Sequence, residues 1–436
     1  MDSLTYLQLL RGNRSFRRLW VGQVISELGN WFNFIAALGL VRVVSHASPE
    51  VTTIMLILRL VPFTIFAPLA GAIADRWSRR TVMIVTDLVR VAVALGFLLV
   101  RRPQDLWIAY VCTVLLSFFG TFFEAAKNAA VPNIIGERDL LAGNALMFSS
   151  RFLLMSLGAA LGGWTSAVVG YEAAFVINAI SFAASAYSVW LVPEEQTRQT
   201  STVESKTERR SYWQDIREGW HYIVTHGPVA TILAINIVWA IGGGAINLII
   251  DRLGGIVFAG PTGSNADAAV AAFYVANGTG LFVGMMIARR VGAYVESVGR
   301  IIGFIGWSLF VQGIFFALIG VMPNLWLASG FMFVSRALLG AEFAVQETLL
   351  MRLVPDKLRG RVSITDRASE MLVWTFSTAG AGWLLYSITP RTLTVTSGLL
   401  SGLSGLVWLW LFAARVVRLP KRFTAGTRVT QTVAAD

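Results

Sequence analysis

The feature that most constrains this chain is a recurring apolar run of about 20 residues, the length a helix needs to cross the core of a bilayer. Twelve such runs are read, over 17–42, 51–73, 81–100, 106–128, 141–166, 172–192, 229–251, 268–288, 301–320, 325–350, 363–388 and 392–414. Composition agrees with them. Of the 436 residues, 55% are hydrophobic and 14% are charged, and the mean hydropathy is +0.64. An ordinary soluble domain carries roughly 25% charged residues, and a soluble fold of this length cannot hide so much apolar surface. These numbers disfavour a soluble enzyme, a disordered chain and a nucleic-acid module. The expected fold class is an all-α polytopic membrane protein with twelve transmembrane helices, because a helix in lipid satisfies its own backbone polar groups.

The longest polar stretch, residues 193–228, divides the twelve runs into six and six. Three parts follow: 1–192, a first six-helix bundle; 193–228, a linker; and 229–436, a second six-helix bundle with a tail. The first half of the linker has the composition of a disordered segment. Its second half, 212–225, places Trp213, Ile216, Trp220 and Ile223 at spacings of three and four. That pattern predicts an amphipathic helix at the membrane surface. Ala130-Val131-Pro132-Asn133 after the fourth run and Leu353-Val354-Pro355-Asp356 after the tenth recur six helices apart, each in a basic loop before a glycine-rich helix. The recurrence suggests two parallel repeats, with chance recurrence of a Val-Pro turn as the alternative.

Basic residues set the orientation. With the N-terminus in the cytoplasm, 27 of the 36 Lys and Arg residues fall in cytoplasmic segments. Five fall opposite (Arg42, Arg101, Arg102, Arg252 and Arg391) and four inside the runs (Arg59, Arg90, Arg151 and Arg336). Both termini are therefore expected inside, and the net charge of +11 is a topology signal rather than a nucleic-acid footprint. The first sixteen residues are polar and basic, so the first run is expected to be a retained helix. The single cysteine, Cys112, lies in an apolar run, and His46, His221 and His226 lack metal-ligand spacing. None of Lys127, Lys206, Lys357 and Lys421 follows a glycine, so the sequence has no phosphate-cradling GK[ST] loop and an ATP-driven pump is poorly supported. A channel would lack any filter-like repeat. Neither a metal nor a cofactor is expected.

Between the second and third runs stands Gly71-Ala72-Ile73-Ala74-Asp75-Arg76-Trp77-Ser78-Arg79-Arg80. Gly71 permits close helix approach. Asp75 can face a helix N-terminus, and Arg76, Arg79 and Arg80 can clamp acidic groups or helix C-termini. A charged latch of this kind biases a two-state gate; the plain alternative is a positive-inside loop. The segment resembles the signature G-x-x-x-D-R-x-G-R-[RK] of the major facilitator superfamily, with Ser78 where the family has glycine. More specifically the chain is similar to the bacterial drug-exporter branch that includes the macrolide efflux proteins and the enterobactin exporter. The stretches that carry this are Leu19-Trp20-x-Gly22-Gln23-x-Ile25-Ser26-x-Leu28-Gly29, Asp87-Leu88-Val89-Arg90, the FFEAAKNAAVP run from Phe122 to Pro132, Ile177-Asn178-Ala179-x-Ser181-Phe182, and Val354-Pro355-Asp356-x-Leu358-Arg359-Gly360-Arg361-Val362. The resemblance implies two six-helix bundles that rock around a central site lined by the first, fourth, seventh and tenth helices. The family's exporter motif in the fifth helix is only partly present: Gly158-Ala159-Ala160-Leu161-Gly162-Gly163 lacks the usual proline. Gly158 and Gly162 can still allow tight packing between bundles, or ordinary small-residue packing.

Polar groups inside the runs mark the candidate path, since a charge at mid-membrane costs about 2.5–3.5 kcal/mol on insertion scales and persists only if paired or wet. Gln23, Glu27 and Asn30 form a stripe beside Trp31 and Phe34. Glu27 is the first candidate for proton coupling, with Glu342 and Glu347 in reserve; a structural salt bridge from Glu27 to Arg59 or Arg151 is the alternative. In the tenth run Arg336, Gly340 and Glu347 share a face, and Glu342 and Gln346 another. Asn236, Trp239, Gly243 and Asn247 make a weaker stripe in the seventh, and Phe343 joins the aromatic cavity candidates. Asp87 and Arg90, at i and i+3, read as a structural pair supporting the latch. The expected function is secondary active transport by alternating access: proton-coupled export of a bulky amphipathic organic molecule across a bacterial inner membrane. The partners would be a small-molecule substrate, protons and lipid, with the chain acting as a monomer and binding no nucleic acid. A passive facilitator, an importer, and a non-transporting sensor or scaffold on the same fold are the alternatives.

Overall fold

The computed structural model describes residues 6–197, 212–260, 265–414 and 416–417. All regular structure among them is helical: α1 (Tyr6–Gly12), α2 (Arg14–Val44), α3 (Pro49–Arg76), α4 (Arg79–Gly96), α5 (Leu106–Val168), α6 (Tyr171–Trp190), α7 (Tyr212–Thr225), α8 (Gly227–Gly243), α9 (Ile246–Arg252), α10 (Ala266–Ser297), α11 (Ile301–Ile319), α12 (Leu325–Leu353), α13 (Asp356–Leu384) and α14 (Pro390–Ala413), with short 3₁₀ and π turns between them. Among the described residues ten segments are long and apolar enough to cross a membrane. The other two expected spans are helices as well: α13 and the second arm of α5. Several charges in α13, and Arg151 with the serines, glycines and asparagine of 141–166, lower their hydropathy, and both supply residues to the cavity described below. The protein is a multi-pass, all-α membrane protein.

One expectation about local structure is corrected. Residues 129–140, read as a loop between the fourth and fifth runs, are helical on both sides of Gly136, with Pro132 inside the first arm. The break is made at that single residue, at φ 73° and ψ 165°, a conformation essentially reserved for glycine. The amphipathic helix α7 forms where the spacing put it, and it packs on α13 and α8. Ile223 enters the core beside Val229 and Leu349, Tyr222 Oη donates to the Leu353 carbonyl at 3.5 Å, and Glu218 pairs with Arg361. The side chains of Trp213 and Ile216, and the linker residues 198–211 expected to be disordered, lie outside the described residues.

Helices α2 to α6 pack together as one bundle and α8 to α14 as the other. We call the membrane end that holds α1 and α7 the connector face, and the opposite end, with the 45–48 turn, the distal face. The apolar core differs between the two. Toward the connector face it is split: Phe16, Ala70, Val82 and Val131 belong to a cluster drawn wholly from the first bundle, and Ile232, Ile305, Leu350 and Trp408 to one drawn wholly from the second and α7. Toward the distal face Phe34, Ile35 and Leu38 of α2 share one continuous cluster with Leu248 of α9, Phe273 of α10 and Ala381 of α13. Apolar burial of this kind contributes roughly 25 cal/mol per Å², and here it joins the bundles at one end only.

Candidate transport cavity and its distal seal

The stripe on α2 faces a cavity of about 490 Å³. Gln23, Ser26, Glu27, Asn30 and Phe34 line one side; Arg59 and Phe63 of α3, Arg90 of α4, Glu124 and Arg151 of α5, and Met371 and Trp374 of α13 complete it. A helix presents one face at spacings of three and four, which is why Gln23, Glu27, Asn30 and Phe34 arrive there together. The cavity's charges are mostly paired. Arg90 bonds Asp87 at 2.9 Å and the Asn30 amide oxygen at 3.1 Å. Lys127 donates to Glu124 at 2.7 Å. Arg151, not Arg59, is the partner of Glu27, at a loose 3.8 Å.

Several expected residues sit elsewhere. Arg336 is only 3% exposed inside the second bundle, its guanidinium 4.7 Å from the centre of Phe316, and it does not line this cavity. The reason is α10, whose Gly280 and Gly284 bring its backbone against Arg336, Ala337 and Ala341, while Gly340 packs on Leu281. Glu342 is buried too, 2% exposed, with Oε1 lacking a hydrogen-bond partner among the described residues. Phe343 and Glu347 are half-buried on α12 outside the cavity lining. Asn236 donates to Asp366 of α13 at 3.3 Å. Trp239 meets Trp374 at 6.2 Å between ring centres, so α8 reaches the cavity through α13. Trp31 packs beside the cavity against Phe34 and Tyr274. The expected inter-bundle role of Gly158 and Gly162 is also corrected: both lie against Trp31 and Phe32 of α2, within the first bundle, and it is Gly163 that meets Asp267 and Ala271 of α10 across the bundle boundary.

In the Gly71–Arg80 segment, Gly71 faces open space, so no helix approaches it in this structure. The side chain of Asp75 lies outside the described residues. Arg76 is exposed. Arg79 donates to the Ala129 carbonyl at 2.8 Å, and Arg80 to that of Trp190, the last residue of α6, where the helix dipole is negative. Ser78 takes an ordinary φ of −57° and caps α4 by accepting from the Thr81 amide; the turn here does not need the family's glycine.

The distal face holds a cluster the sequence left as scattered exceptions. Arg42 of α2 reaches across to Asp251 of α9 at 2.5 Å and Asp267 of α10 at 3.0 Å. Arg252 pairs with Asp251 at 2.8 Å and donates to the carbonyls of Ala47, at 2.7 Å, and Ser48. Tyr171 Oη donates to Asp267 at 2.8 Å, and Tyr386, in the turn after α13, donates to Glu50 of α3. Arg42, Asp251, Arg252 and Asp267 are all at most 9% exposed. The turn that Arg252 grips is itself unusual, with His46 at φ 53° and Ala47 at φ 62°, a conformation costing roughly 1–2 kcal/mol per non-glycine residue. The signal was present in the sequence: four charges at span ends, on the face where basic residues are scarce.

The sequence profile described as Major Facilitator Superfamily matches residues 19–296. The chain belongs to the major facilitator superfamily. It is similar to the MFS-type transporter YkuC of Bacillus subtilis (strain 168), 23% identical over 94% of this chain and 93% of that one. It is 26% identical to the MFS-type transporter YfiS of the same organism, over 49% of this chain and 50% of YfiS. It is 24% identical to the candidate bacilysin exporter BacE of that strain, over 51% and 55%. The match thus spans about half the length of YfiS and BacE. Among solved structures it superposes on a POT family transporter in complex with 5-aminolevulinic acid, with TM-score 0.71, 10% identity, and 93% and 97% of the two chains covered. It also superposes on the nucleoside transporter NupG, with TM-score 0.62, 13% identity, and 93% and 100% covered. At such identities the likeness shows the fold: two six-helix bundles. As a member of this family the protein is a membrane transporter for a small-molecule substrate.

Proposed function

We propose that the protein exports a bulky amphipathic organic molecule in exchange for protons, by alternating access, from the cytoplasm of a bacterium across its inner membrane. The observation that carries this reading is the asymmetry of the core: the bundles are fused by apolar packing and buried ion pairs on the distal face and separated around a polar, aromatic-lined cavity toward the connector face. A transporter caught with one gate shut has this form. The basic-residue asymmetry supports a cytoplasmic connector face with both termini inside, and the chain acts as a monomer, divided into 1–192, the linker 193–228 and 229–436. The similarity to BacE supports the outward direction. In this reading Gln23, Asn30 and Phe34 contact substrate, and the Gly71–Arg80 segment with Asp87 and Arg90 forms the latch of the opposite state. Glu27 carries the proton: protonation removes a charge that is costly in the membrane and dissolves its loose pairing with Arg151, so proton and substrate compete for one wall of the cavity.

The test is reconstitution in proteoliposomes with an imposed pH gradient. Glu27→Gln is expected to abolish the dependence of efflux on the gradient while leaving downhill counterflow. Full gradient-driven efflux by Glu27→Gln would remove Glu27 from the coupling role.

A further inference from the structure

Among the described residues one cation of the cavity has neither a hydrogen bond nor an ion pair, although Glu27 is within its electrostatic reach. Arg90 is held by Asp87, Arg151 faces Glu27, and Lys127 holds Glu124. Arg59 on α3 makes no hydrogen bond or ion pair among the described residues, yet it lines the cavity wall. Its guanidinium carbon stands 3.8 Å over the ring centre of Phe34 and 5.9 Å from that of Trp31. Tyr274 packs behind these rings, fully buried and 5.6 Å from each, with its hydroxyl committed to Asn247 at 2.9 Å. Stacking uses the flat face of a guanidinium and leaves its N–H edge free. That edge is a planar fork matched to two carboxylate oxygens. The opposite wall, from α13, is Met371 and Trp374, which offer an apolar and aromatic surface. An anionic group is thus drawn to α3, and an apolar body fits between Phe34 and Trp374.

We propose that the transported molecule is an amphipathic organic acid whose carboxylate is bound by Arg59 while its apolar body lies against the aromatic residues of α2 and α13. The inference rests on the reading of this cavity as the substrate site and adds the charge of the substrate to it. An Arg59 that served only as a brace between α3 and α2 would give the fold stability and no preference for acids.

The experiment compares two probes of nearly equal shape, 1-naphthaleneacetate and 1-naphthaleneacetamide, titrated at constant salt against the purified full chain in nanodiscs, with binding read by calorimetry. The wild type is expected to bind the acid at least tenfold more tightly than the amide. In Arg59→Gln that ratio is expected to fall to about one, and in Arg59→Lys, which keeps the charge, acid preference should persist. Equal binding of both probes by the wild type, or a tenfold preference retained in Arg59→Gln, overturns the proposal while leaving the cavity reading intact. Binding of neither probe overturns the cavity reading and the proposal with it. If Arg59→Gln does not fold, the wild-type ratio and its retention in Arg59→Lys still decide the matter.

Discussion

Arg42 and Asp251 show what a single buried pair does in this fold. Asp251 also holds Arg252, so its removal leaves Arg42 with Asp267 alone and Arg252 buried with only neutral hydrogen-bond partners, and breaking such a pair costs about 3–5 kcal/mol. The cost falls on the sealed state, because parting the bundles would admit water to Arg42 and Arg252. Asp251→Asn is therefore expected to shift the balance toward a distal-open form by about 10²- to 10⁴-fold. A cysteine at Thr53, now buried against Gly382, should react with an impermeant thiol reagent at least tenfold faster in that variant; an unchanged rate would show that the pair does not hold the gate. At this scale legibility was uneven. Periodicity alone placed Gln23, Glu27, Asn30 and Phe34 on one wet face, and the structure puts all four on the cavity. The same reasoning misplaced Arg336 and Phe343. Spacing tells which residues share a helix face but not which neighbour covers that face, and the glycines of α10 that bury Arg336 lie more than 50 residues upstream.

Among elements, α5 is the most informative. Its two arms were legible as two spans, whereas the helical turns that extend both arms to Gly136 were not, because Pro132 resembles a terminator and the turning residue, Gly136, carries no distinctive neighbours. The second arm meets α10 at Gly163, where backbone and side chain of α10 leave no room for a larger residue. Gly163→Leu is expected to hold the distal face apart. Transport should fall at least tenfold with the folded yield preserved, since the obstruction is specific to one state and lies at the boundary between bundles rather than within one. Wild-type transport by Gly163→Leu would contradict a close α5–α10 approach during the cycle. Helix α7 forms where its 3.6-residue period put it, but periodicity could not say what its apolar residues would meet: Ile223 enters the second bundle and Trp220 stays exposed.

At the scale of the whole molecule, hydropathy made the class of fold plain and the resemblance supplied its arrangement. The state of the molecule was not legible, because a rocking transporter's states share one sequence and differ only in which contacts are made. Orientation is open to a direct check. With the buried Cys112 replaced, Gln104→Cys on the distal face is expected to label from outside intact cells and Ser297→Cys on the connector face is not; the reverse pattern would invert the topology. The central claim is that the distal seal and the connector-side cavity are one end of a two-state exchange. The most direct measurement of it is pulsed electron–electron distance distributions from two spin-label pairs, Gln104 with Asn324 on the distal face and Arg17 with Ser297 on the connector face, in nanodiscs, with and without Asp251→Asn. The account predicts two populations for each pair, with the distal pair lengthening as the connector pair shortens, and Asp251→Asn enriching the distal-long population. A single distance for each pair, unmoved by the substitution, would contradict it.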